Sequence, residues 1–104
     1  MSIEKEMIKI GLRPDLRGFK YLAEAMKIIY ENEEFLYNTL PLYEEIALDL
    51  ELDSSNVERC IRHCIKKSPD NVWSTIGYSD KMRKINSVFI SLLYYYLMGK
   101  EEER

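Results

Sequence analysis

The chain has 104 residues, 46% hydrophobic and 32% charged, with a net charge of −3 at neutral pH. That length suits one domain around a single modest core, and this composition excludes a disordered chain. No apolar run approaches the ~20 residues of a membrane-spanning helix, and the opening MSIEKEM is not a signal peptide, so a cytoplasmic protein with no membrane partner is expected.

Apolar residues recur at three and four, without the alternation of strands, which predicts an all-α bundle of about six or seven helices. Ile3–Ile10 forms a short first helix ended by Gly11. Pro14 begins a longer one through Leu22, Ala25, Met26 and Ile29 to about Glu31. Glu33–Asn38 is a brief helix stopped before Pro41. Leu42–Leu50 and Ser54–Lys67 follow as two helices joined by a tight turn, a helix-turn-helix over about residues 42–67. Ser55 and Glu58 have capping-box spacing, with Ser54 an equally good cap. Ser68–Pro69 ends this pair and starts a helix from Asp70 to about Ile76, stopped at Gly77. The last helix, Asn86–Met98, is closed by Gly99, with Glu101–Glu103 as a frayed acidic tail. Residues 1–104 are expected to form a single domain.

The second helix of the pair carries the functional signal. At 100° per residue, Val57, Cys60, Ile61, Cys64 and Ile65 fall on one apolar arc. Ser55, Arg59, Arg62 and Lys66 lie on the opposite arc, flanked by Glu58 and His63. A helix with a buried aliphatic stripe and an outward row of cations has the form needed to enter a DNA major groove. The overall acidity opposes this reading, because nucleic-acid binders are usually basic. Its distribution reduces the objection. Ser54–Lys67 holds four basic residues and one acid, a local charge of +3, whereas Glu44, Glu45, Asp49, Glu51 and Asp53 precede it without a base.

Cys60, His63 and Cys64 do not make a metal site on this pattern, since His63 lies about 60° or more from both cysteines and a fourth ligand is missing. The cysteines read as small core fillers. His63 has no neighbouring nucleophile or paired carboxylate, so no enzyme, cofactor or small-molecule substrate is expected. In the last helix Val88, Phe89, Leu92, Leu93, Tyr96 and Leu97 form a core stripe, which Tyr94, Tyr95 and Met98 extend most of the way round. Such a helix is either buried on several sides or offers a homodimer surface, where aromatic and Met residues are favoured.

Three blocks resemble a known family. They are IGLRPDLRGFKYLAEAMKIIYEN, LYEEIALDLELDSSNVERCIRHCI and IGYSDKMRKINSVFISLL, and together they cover nearly the whole chain. The second contains the specific string S-x-VER-x-IRH-x-I. The chain is similar to the C-terminal effector domain of the sporulation stage-zero A response regulators of endospore-forming bacteria. The resemblance implies a helical bundle that binds short tandem boxes in double-stranded DNA and regulates transcription. It implies that Glu58, Arg59 and Arg62 face base edges, with His63, Ser55 and Lys66 beside them. Independently of the family, Arg can read guanine through its planar fork, and Glu58 can accept from a cytosine amine or hold Arg62 four residues on. Asn56 lies on the same helix, and Lys81, Arg83 and Lys84 precede the last one as candidate phosphate contacts.

There are departures from the family pattern. Asn56 stands where the family carries Arg, and Leu48–Asp49 where it carries basic residues. The stretches before Trp73 and before Asn86 are shorter. Fewer cations release fewer counterions, so lower affinity is expected. The chain has no room for the roughly 100–150 residues of a receiver domain, which makes it a stand-alone or excised effector domain on this reading. The competing reading is a protein-interaction module or antagonist that has lost DNA binding and pairs through the Tyr-rich last helix.

Overall fold

The structure is a computed structural model describing residues 2–102; Met1, Glu103 and Arg104 lie outside the described residues. Among the described residues there are six α-helices, one 3₁₀ helix and no strand, in the order α1 (Ile3–Lys9), α2 (Arg17–Glu31), the 3₁₀ helix Glu33–Tyr37, α3 (Thr39–Leu50), α4 (Ser54–Lys66), α5 (Val72–Thr75) and α6 (Asn86–Glu102). The all-α expectation holds, with a 3₁₀ turn in place of the brief helix.

The core collects one stripe from each helix. Leu22, Met26 and Ile29 of α2 meet Leu42 and Ile46 of α3, Val57 and Ile61 of α4, and Phe89, Ile90 and Leu93 of α6, all of them fully or almost fully buried. Removing these side chains from water supplies the main drive for folding, at roughly 1.5–3 kcal/mol each. The most extensive helix–helix contact is between α2 and α4. Gly18 sits at this crossing: a Cβ there would lie in hard contact with the Cys60 carbonyl oxygen and 2.7 Å from Cys64 Cβ. Glycine lets the first turn of α2 rest directly on the backbone of α4. The N-terminal segment closes over the same end of the core, where Gly11 (φ 107°) reverses the chain after α1 and packs against Pro69.

Helix ends account for the differences from expectation. Pro14 does not open α2. It occupies the second position of a turn closed by the Leu16 N–H to Arg13 carbonyl bond (3.3 Å), and the helix begins at Arg17. Pro41 does not stop a helix either; it lies in the first turn of α3, where its missing N–H is not needed, so α3 starts at Thr39 rather than Leu42. Glu51, in the left-handed conformation (φ 57°), ends α3, and the Leu52 N–H bonds back to the Ala47 carbonyl (2.8 Å) in a Schellman arrangement. The fifth helix is only Val72–Thr75, shorter than Asp70–Ile76. Gly99 does not close the last helix, which continues through it to Glu102, so Glu101 and Glu102 are helical rather than frayed; Glu103 lies outside the described residues.

The cap of α4 is Asp53, not Ser54 or Ser55, and Glu58 closes no capping box. The Asp53 carboxylate accepts from the Ser55 N–H (2.9 Å) and from the Ser55 hydroxyl (2.7 Å). These two bonds hold its carboxyl below the usual carboxylate range. A lowered pKa stabilises the fold above the ordinary Asp value and ceases to do so as the pH falls through the lowered one. Asp53→Ala is therefore expected to lower the Tm by a few degrees at neutral pH. The gap to the wild type should close as the pH is taken down through the carboxylate range, as followed by circular dichroism.

Candidate nucleic-acid interface

α4 is divided lengthwise between core and solvent. Val57, Ile61, Cys64 and Ile65 are buried, and Cys60 is half-buried against α2. Burial pushes the Cys64 thiol up to about 11, so it stays protonated and inert at neutral pH. On the opposite side Ser55, Asn56, Arg59, Arg62, His63 and Lys66 are exposed, and Glu58 is half-exposed. The amphipathic split read from the sequence is the one observed. Among the described residues, no three ligand-type side chains (His, Cys, Asp or Glu) converge on a metal position.

The cationic row is continued by a distant segment. Arg62 and Lys66 line a depression of about 280 Å³ together with Ser68, Asp70, Lys84 and Asn86. Two contacts hold the segment carrying Lys84, one on α4 and one on the aromatic side chains that lead to the core. The Asn86 side-chain amide donates to the Glu58 carbonyl (3.1 Å), fixing the start of α6 on the middle of α4. The Lys84 ammonium lies 5.0 Å from the centroid of Tyr78, whose ring packs edge-on to Trp73, which in turn packs edge-on to core Phe89. This chain of aromatic contacts runs from the core to the cation. Lys81 and Arg83 are exposed on the same segment, outside the two depressions that Lys84 shares with Arg62.

Within the row, Arg62 Nη1 donates to Glu58 Oε1 at 2.9 Å, four residues back on the helix. Glu58 and Arg62 also border a second depression, of about 350 Å³, with Thr39, Tyr43 and Lys84. Ser55 gives its hydroxyl to Asp53, which engages it in the cap. The acidic side chains of α3 do not enter the depressions that hold Arg62 and Lys84; Glu44 borders a separate hollow at the start of α4, with Ser54, Ser55 and Glu58.

On its other flank α4 faces the first turn of α2. Arg59 and His63 line a depression of about 410 Å³ with Asp15, Leu16, Arg17 and Gly18. Arg17 lies far from α4 in the sequence, and no local spacing marks it as a neighbour of Arg59; only the Gly18 crossing brings the two together. Asp15, the one acid there, pairs with Arg13 (2.7 Å), which lowers its pKa.

The last helix uses most of its apolar circumference inside the chain. Phe89, Ile90, Leu93, Tyr94 and Leu97 are buried, and the Tyr94 hydroxyl donates to Glu33 Oε2 (2.9 Å). Tyr95 remains exposed, with its hydroxyl 3.5 Å from that of Tyr37. Among the described residues no helix is long and apolar enough to cross a membrane. Residues 3–97 match the family model described as sporulation initiation factor Spo0A C terminal, and the chain belongs to that family of DNA-binding, transcription-regulating effector domains.

Proposed function

We propose that the chain regulates transcription by sequence-specific binding of double-stranded DNA, with α4 as the recognition helix of a helix-turn-helix formed with α3. The observation that carries this reading is the continuity between Arg62, Lys66 and Lys84 around one depression, beside a helix whose opposite stripe is sealed in the core. Glu58, Arg59, Arg62 and His63 reach base edges. Asn56, Lys66 and Lys84 contact phosphates along the groove, and Lys81 and Arg83 contact the flanking duplex, while Ser55, whose hydroxyl donates to Asp53, holds the cap instead. Membership of a DNA-binding family supports the same reading. A duplex carrying the family's tandem boxes is expected to bind more tightly than a scrambled duplex, and both should weaken as salt is raised. The measurement is fluorescence anisotropy at two salt concentrations. Absence of binding to either duplex at low salt, by folded protein, rejects the proposal.

One observation favours the alternative, a module that pairs with protein rather than DNA. The outer face of α3 exposes Leu40 and Leu48, both 73% accessible, beside Glu44 and Asp49. A homodimer, the remaining partner expectation, would use the exposed tyrosines Tyr30, Tyr37 and Tyr95 rather than the stripe of α6 that the core occupies.

A further inference from the structure

We propose that Arg17 is a DNA-positioning residue, which together with Lys84 brackets α4 so that the two cations engage phosphates on opposite walls of the groove. This rests on the reading of α4 as the recognition helix and extends it to an element outside the helix-turn-helix. The outward face of α4 has two flanks. Arg62 and Lys66 lie towards the segment before α6, where Lys84 borders their depression. Arg59 and His63 lie towards α2, where Arg17 borders theirs. The two depressions share no residue, so the external cations stand on different sides of the helix.

An α-helix with its side chains is about 10–12 Å across, and the major groove is about 12 Å wide. A helix lying in that groove therefore has a phosphate wall close to each flank. Cations supplied from both sides fix its rotation and depth, which base contacts alone leave free. Arg17 is suited to this. It is exposed and has no ion pair among the described residues, while Asp15 in the same depression is held by Arg13. Its backbone is held by the packing of Gly18 on Cys60 and Cys64.

The test compares wild type, Arg17→Ala, Arg17→Lys and Lys84→Ala on the tandem-box duplex and its scrambled counterpart across a salt series. Arg17→Ala and Lys84→Ala are each expected to weaken binding to both duplexes by a similar factor and to reduce the log–log salt slope by about one, leaving the ratio between duplexes unchanged. Arg17→Lys should restore the slope, because a phosphate contact needs the charge rather than the fork. Duplexes with single methylphosphonates should lose sensitivity to Arg17→Ala at a position on one strand, and to Lys84→Ala on the other. Selective wild-type binding with a slope unaltered by Arg17→Ala overturns the bracket and leaves the proposed function standing. Failure of the wild type to bind either duplex overturns both.

Discussion

Gly18→Ala is expected to destabilise the protein by about 2 kcal/mol or more, although alanine is the better helix former by ~1 kcal/mol. The added methyl has no free space. It would meet the Cys60 carbonyl group, which is backbone and cannot turn aside, and Cys64 Cβ at 2.7 Å. Relief requires the first turn of α2 to lift from α4, which opens the most extensive helix contact in the molecule. For a domain of this size, the penalty corresponds to a fall in Tm of roughly 8–16 °C. Gly99→Ala provides the control. Among the described residues nothing lies within 4 Å of a Cβ at Gly99, within α6, so the same substitution should raise stability by up to ~1 kcal/mol. Opposite signs at the two helical glycines, read by thermal or urea unfolding, would attribute the Gly18 effect to the crossing. An unchanged Tm for Gly18→Ala would show that the two helices are not so closely apposed.

The contrast between these glycines also indicates how far the sequence can be read. The inner and outer faces of α4 were legible because a period of 3.6 residues separates Val57, Ile61, Cys64 and Ile65 from Arg59, Arg62 and Lys66 without ambiguity. Helix ends were less so. Asp53, Ser54 and Ser55 are consecutive residues that can all cap, and only the backbone decides that Asp53 does. Gly99 looks like a stop, but the helix passes through it to Glu102. Tyr94 and Tyr95 are chemically almost alike in the sequence, yet one is buried on Glu33 and the other is exposed near Tyr37. Arg17 and Lys84 could not be assigned to opposite flanks of α4, because that depends on the Gly18 crossing and on the Asn86 bond to Glu58, both long-range contacts.

Arg59→Ala/Arg62→Ala is expected to abolish discrimination between the tandem-box and scrambled duplexes while leaving the fold intact. Each arginine reading guanine through its fork contributes roughly 1–3 kcal/mol, so the pair accounts for roughly 2–6 kcal/mol of selectivity, enough to reduce specific binding to the non-specific level. The salt slope should also fall, by up to about two if both also neutralise phosphates. Stability should hardly change. Both side chains are exposed, and the Glu58–Arg62 bridge, with Arg62 61% accessible, is a surface pair worth at most about 1 kcal/mol. This separates the double variant from Gly18→Ala, which would lose binding through unfolding. It also distinguishes two roles for Glu58, which holds Arg62 at 2.9 Å in the free protein. If Glu58 only orients Arg62, Glu58→Ala should weaken selectivity in the wild type and have no further effect once Arg62 is alanine. If it accepts from a base itself, the two losses should add. Full selectivity in the double variant would remove α4 as the reading element and shift attention to the acidic, leucine-bearing face of α3 as a surface for protein.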